Sequence, residues 1–215
     1  MCVIRKKASL LETRNFSNLL LLGLGPGKVS DILAAVKDRD LWKDMIANAY
    51  KQGTTWMQEI VYLVMNNADT GKALQTTIDK RVPFFEYGDP GFKAISAMPS
   101  PRFIKSHLAL SVLPDQMETK KPKIIYMHRN PKDIVVSYYS FFVKFLVGKK
   151  FTGTFEDFCR LFTEDKVHFG PWWKHVTEAW ASRHKDNFLL LCYEDLQAVM
   201  SPVVADPDWC VLVVW

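Results

Sequence analysis

Two hydrophobic periods alternate along this chain. Short strand-like runs recur at 45–50, 103–106, 123–127 and 188–192. Between them lie longer stretches with apolar residues every three or four positions, the period of a helix with one buried face. Residues 54–66 carry the broadest such face, with Trp56, Ile60, Leu63 and Val64 on it. The run 123–127 follows Pro122 and leads into Asn130-Pro131. There Asn130 as N-cap, Pro131 at the first helical position and Asp133 at the third predict a helix from 131 to about 145. Thr154-Phe155-Glu156-Asp157 is a capping-box start for another, and residues 172–184 predict a third. Residues 188–192 are apolar throughout, as a strand covered on both faces is.

Strands alternating with helices predict an α/β fold, a central parallel sheet flanked by helices, over residues 44–196. Two flanks depart from the pattern. Residues 1–43 form an atypical N-terminal segment: a leucine run at 19–22, the breaker cluster Gly23-Leu24-Gly25-Pro26-Gly27, and a helical pattern over 30–42. Residues 197–215 read as an unrelated apolar tail ending in Val211-Leu212-Val213-Val214-Trp215, a stretch that needs something to pack against.

Composition narrows the field. A chain of 215 residues suits one domain, and 48% apolar with 24% charged residues is ordinary for a globular protein. The net charge of +5 suits an anionic small molecule. The basic clusters Arg5-Lys6-Lys7 and Lys149-Lys150 are too short for a nucleic-acid stripe, so no nucleic-acid partner is expected. Cys2, Cys159, Cys192 and Cys210 form no C-x-x-C pair and fit a reducing, cytoplasmic compartment. The leucine run is too short to span a bilayer, and no membrane role is expected.

Three places could carry chemistry. Tyr50-Lys51-Gln52-Gly53-Thr54-Thr55-Trp56 sits between a predicted strand and a predicted helix. A glycine there lets helix N-terminal N–H groups face an anion, with the threonine hydroxyls and Lys51 in support. This is a P-loop-like arrangement without the G-x-x-x-x-G-K-[ST] of a Walker loop, and a plain capped turn is the structural alternative. His128-Arg129-Asn130-Pro131-Lys132-Asp133, with Ser137 further on, is a second such junction. Arg129 there either grips a phosphate or pairs with a carboxylate. Lys105-Ser106-His107, ending the 103–106 run, sets an imidazole beside a cation, a pairing suited to removing a proton and neutralising charge. No histidine spacing suggests a metal. The aromatic groups around Phe84, Phe85, Phe141 and Phe142 are either core or the walls of an acceptor pocket.

Together these residues resemble the cytosolic sulfotransferase family. Tyr50–Trp56 in number order matches its Tyr-Pro-Lys-Ser-Gly-Thr-Thr-Trp with one residue missing and Gln52 in place of serine. Lys105-Ser106-His107, Arg129-Asn130-Pro131-Lys132-Asp133 with Ser137, and Tyr193-Glu194-Asp195-Leu196 match its later motifs in order. The resemblance implies a sulfotransferase-type fold and transfer of a sulfuryl group from 3′-phosphoadenosine 5′-phosphosulfate, as co-substrate, to a small hydroxyl or amine acceptor, without a metal. The acceptor would be phenolic, steroidal or an amine, of the kind met in xenobiotic or hormone metabolism. Lys51 would assist departure of the phosphate; Lys51, Gln52, Gly53, Thr54, Thr55 and Trp56 would line the nucleotide site. Arg129 and Ser137 would hold the 3′-phosphate, and Tyr193 the adenine end. His107 would be the general base, Lys105 a catalytic cation, and Phe84, Lys105, Ser106, His107 and Phe142 the acceptor site. Family members continue beyond the last match into a nucleotide-gripping Arg-Lys-Gly segment, a lid and a dimerisation motif, none of which occurs here; a homodimer would have to form without that motif. The shortened Lys51 loop also implies a second reading, a catalytically impaired relative that binds nucleotide or protein.

Overall fold

A computed structural model describes residues 53–67, 69–86, 91–143, 151–198 and 211–214. They fall into two compact units, one holding the described residues up to Val82 with Pro99–Arg102, the other Pro83–Met98 and the described residues from Phe103 onward. The predicted strand at 45–50, the helical pattern at 30–42 and the site residues Lys51 and Gln52 lie outside the described residues.

The first unit contains helices α1 (Gly53–Met65), α2 (Thr70–Leu74) and α3 (Ile78–Arg81). Of the apolar face predicted for 54–66, Ile60, Leu63 and Val64 are buried, and Met57 and Val61 are buried beside them. Glu59 is buried with them and accepts two hydrogen bonds from the Arg81 guanidinium, at 2.8 and 2.7 Å. The guanidinium carbon also lies 4.5 Å from the centroid of the Tyr62 ring. The forked geometry matters because charges removed from water are tolerated only when each satisfies the other.

The second unit is built on a four-stranded sheet in the order β1-β4-β2-β3: β1 (Phe103–Ser106), β2 (Lys123–His128), β3 (Phe188–Cys192) and β4 (Val211–Val214). Every pairing is parallel, as the alternation of strand and helix predicts. On one face of β2, Ile124 and Tyr126 pack with Leu113, Ala179 and Phe188. Ile125 and Met127, which the pleat turns to the other face, are buried too. That double burial is why the middle of β2 reads as an unbroken apolar run. β3, whose all-apolar sequence predicts a central covered strand, pairs with β2 alone among the described strands and is half-buried after Phe188.

The unit's helices are α4 (Gly91–Ala97), α5 (Gln116–Lys120), α6 (Pro131–Phe141), α7 (Phe155–Thr163), α8 (Trp172–Ser182) and α9 (Tyr193–Ala198). Both predicted caps are in place. The Asn130 side chain accepts from the Lys132 N–H, and Thr154 and Asp157 complete a reciprocal capping box. α6 and α7 meet through rings: Tyr138 and Phe142 lie 5.4 and 5.2 Å from Phe158, centroid to centroid.

β4 is the departure from the sequence reading. Its residues look like an apolar end in search of a surface, and they pair along both edges, with β1 and with β2. What they pack against is a gap in the sheet, where neighbouring backbones offer hydrogen bonds on either side.

Candidate nucleotide and acceptor site

Parallel strands end at one edge, so the residues following β1, β2 and β3 share a rim, the usual place for a ligand in an open α/β sheet. Val214 is opposite both Ser106 and Tyr126, so β2 runs two residues further, to His128, which faces Cys192. His107 therefore follows the strand on one side of β4, while Arg129 and Tyr193 follow those on the other. Two strand spacings, roughly 10 Å, separate β1 from β2.

At the β2–β3 side, the Arg129 guanidinium carbon lies 4.3 Å from the centroid of the Tyr193 ring. Its Nε–H is buried and has no hydrogen-bond acceptor among the described residues. An arginine donor withdrawn from water without an acceptor is costly, and an anion in reach removes that cost. The positive end of the eleven-residue α6 begins two residues later, and Ser137 lies half-buried on the same helix. Glu194 accepts the Asn130 N–H at 2.8 Å and the Cys192 thiol at 3.0 Å, tying the start of α9 to the start of α6. Burial, then the bond to Glu194, pushes the Cys192 thiol up to about 11, so it serves as a donor and not as a nucleophile.

At the β1 side, residues 83–85 run alongside the strand. The Lys105 N–H donates to the Pro83 carbonyl at 2.9 Å and the Phe85 N–H to the Lys105 carbonyl at 2.8 Å. This brings the Phe84 ring edge-on to the His107 imidazole at 4.7 Å, with Phe169 at 5.2 Å from the same imidazole. Burial among these rings, and then the positive neighbour Lys105, hold His107 well below its ordinary 6.5. It is a neutral imidazole at physiological pH, the form that accepts a proton. Burial also lowers Lys105 to about 8 against the opposing pull of Glu86, leaving it a cation at neutral pH. Its ammonium lies 5.0 Å from the Phe84 centroid.

Glu86 is the residue that sequence reasoning missed. One carboxylate oxygen, Oε1, accepts from the Ser106 hydroxyl at 2.5 Å, the His107 N–H at 2.6 Å and the Leu108 N–H at 2.9 Å. The only trace in the sequence is an acid following Pro83-Phe84-Phe85, which fits an exposed loop equally well.

Of the other predicted residues, Gly53, Thr54, Thr55 and Trp56 form the first turn of α1, in the other unit. Phe142, read as acceptor-lining, packs in the α6–α7 aromatic group, 5.5 Å from Phe151 as well as against Phe158. Among the described residues no three His, Cys, Asp or Glu gather as metal ligands, and no helix is long and apolar enough to cross a membrane.

The family model described as the sulfotransferase domain matches residues 43–206. Mouse sulfotransferase 4A1 is 44% identical over 171 residues, covering 79% of this chain and 59% of the relative. The chain thus spans about six-tenths of the length of that curated relative. Among solved structures, retinol dehydratase with androsterone and the inactive cofactor PAP aligns with a TM-score of 0.56 at 28% identity, covering 67% of this chain and 52% of that one. Mouse sulfotransferase SULT7A1 complexed with PAP aligns at 0.53 and 26%, covering 70% and 51%. The motifs at β1, β2 and β3, the parallel sheet that brings their ends to one rim, and these matches agree: the chain belongs to the sulfotransferase family.

Proposed function

We propose that this chain binds 3′-phosphoadenosine 5′-phosphosulfate and transfers its sulfuryl group to a small hydroxyl or amine acceptor, acting in the cytoplasm. The observation that carries the reading is the buried Arg129 Nε–H without an acceptor, beside Tyr193 and just before the N-terminus of α6. These residues fit a phosphate and an aromatic base: a guanidinium, a helix end, the Ser137 hydroxyl and the Tyr193 ring. Arg129 and Ser137 would hold the 3′-phosphate, and Lys51 with residues 52–56 would hold the phosphosulfate. The bound co-substrate supplies the sulfuryl group.

On the acceptor side, His107 takes the proton as the acceptor oxygen or nitrogen bonds to sulfur, while the sulfur–oxygen bond to the departing phosphate breaks. Lys105 offsets the negative charge on the transferred oxygens. Phe84 and Phe169 keep water from His107 and offer flat apolar walls, which suits a ring-bearing acceptor. Androsterone and retinol occur in structures of retinol dehydratase, and a steroid or other hydrophobic alcohol is the acceptor class to test first.

The test is thermal unfolding with and without 3′-phosphoadenosine 5′-phosphate, with AMP as the control lacking the second phosphate. At a hundred times its dissociation constant the bisphosphate stabilises by about 2.7 kcal/mol and raises the midpoint by roughly 5–10 °C. A cooperative transition that the bisphosphate does not move would refute the nucleotide reading. One sequence observation favours a second reading, a relative that binds nucleotide without turning over: the Lys51 loop is one residue shorter than the family pattern. An ångström of misplacement there costs on the order of a hundredfold in rate. A bisphosphate shift without sulfate transfer to any acceptor of a phenol, steroid and amine panel would select it.

A further inference from the structure

We infer that Glu86 is a positioning residue for His107, acting through the turn that follows β1; the catalytic half of this inference rests on the reading of His107 as the base. The backbone must leave the sheet at Ser106, so the N–H groups of His107 and Leu108 no longer have a strand carbonyl to meet. Glu86 Oε1 receives both, together with the hydroxyl of the fully buried Ser106. The Ser106 hydroxyl oxygen in turn accepts the Leu108 N–H at 3.0 Å. Four hydrogen bonds thus fix three consecutive residues with the imidazole-bearing one in the middle. A carboxylate that collects backbone N–H groups in this way is an internal anion in a nest of donors.

The segment carrying Glu86 is itself held in place by its pairing with β1, through Phe84 and Lys105. The clamp is therefore built on sheet hydrogen bonds and not on a free loop. The second carboxylate oxygen, Oε2, is buried and has no hydrogen-bond donor among the described residues. Its charge bears on Lys105, the cation next to the imidazole. One side chain thereby sets the position of the base and supports the charge of its neighbour.

Three variants of the full chain separate these parts: Glu86→Gln, which keeps an Oε1 acceptor at the same reach, Glu86→Asp, which withdraws it by one methylene, and Glu86→Ala. Amide hydrogen exchange of the free protein reads the clamp without any turnover. In Glu86→Ala the His107 and Leu108 amides should exchange at least ~100-fold faster, with Ile125 and Met127 in β2 unchanged as proof that the sheet holds. Glu86→Gln should keep protection within ~5-fold, with Glu86→Asp between. Unchanged exchange in Glu86→Ala overturns the clamp.

Turnover reads the consequence. In Glu86→Ala kcat should fall ~100-fold while KM for the phosphosulfate donor stays within ~3-fold, and Glu86→Gln should recover to within ~10-fold of the parent. The double variant with His107→Ala should be no slower than His107→Ala alone, because Glu86 acts through that imidazole. Additive losses, or a Glu86→Gln as slow as Glu86→Ala, overturn the positioning role. A parent chain with no transfer activity sinks the base assignment and with it the catalytic half of the inference, while the exchange result still decides the clamp.

Discussion

Replacing Lys105 with methionine should stabilise the protein and, under the proposed reaction, abolish sulfate transfer. Lys105 is 9% exposed, and burial lowers the group from 10.5 to about 8. That gap of about 2.5 units, at about 1.36 kcal/mol each, means that keeping Lys105 charged in the folded state costs on the order of 3 kcal/mol. Methionine fills nearly the same volume without a charge and loses the contact of the ammonium with the Phe84 ring, worth about 0.5–1 kcal/mol. The net gain at pH 7 is roughly 2–3 kcal/mol, or about 5–10 °C in the unfolding midpoint of a chain this long.

The sign of the pH dependence follows from the same gap. Lys105 is lower when folded than when unfolded, so between pH 8 and 10.5 the unfolded chain binds more protons, and parent stability gains with rising pH there. The variant lacks this gain, so its advantage is full below pH 8 and shrinks toward 10.5. Urea unfolding of both proteins at pH 7, 8, 9 and 10 is the assay. A Lys105→Met protein no more stable than its parent at pH 7, or an advantage that is the same at pH 7 and 10, would refute the reasoning.

Further expectations concern both units. Arg129→Ala should weaken 3′-phosphoadenosine 5′-phosphate about 10- to 100-fold by calorimetry and leave AMP affinity nearly unchanged, with Arg129→Lys recovering only part, since a lysine cannot supply two parallel bonds. Breaking the buried pair in the first unit by Arg81→Met should cost about 3–5 kcal/mol in denaturant unfolding, because Glu59 is then buried alone, and a loss under 1 kcal/mol would argue against the pairing. His107 is lower when folded than when unfolded, so the parent should lose stability as pH falls below about 6.5, and His107→Ala should lose less over pH 6.5 to 5. Equal acid sensitivity in the two proteins would contradict the burial of that imidazole.

What could be read from the sequence was whatever has a local cause. The caps at Asn130 and Thr154 are statements about three or four adjacent residues, and both recur in the structure. The run at 188–192 is apolar throughout and forms a strand, and 103–106 forms one although half of it is polar, Lys105 and Ser106 both being buried. Glu86 stayed hidden because its partners are 20 to 22 residues away and nothing adjacent marks it. The β4 pairing was hidden for the same reason. The hunger of 211–214 for a surface is visible in its composition, while the identity of that surface depends on two strands more than 80 residues earlier. The short helices α2 to α5 carry too few turns for a period to show.

The position of β4 has a consequence for how the molecule is made. About 80 residues separate His128 from Val211, so a ribosome adding ~5–20 residues per second completes β2 roughly 4–16 s before β4 can take its place. During that interval β1 and β2 each present an unpaired edge to the cell, and an open apolar edge invites pairing with other chains. The last contacts to form are also the most distant in sequence, which slows closure of the sheet. Soluble yield should therefore depend on chaperone supply during synthesis more than on the stability of the finished fold.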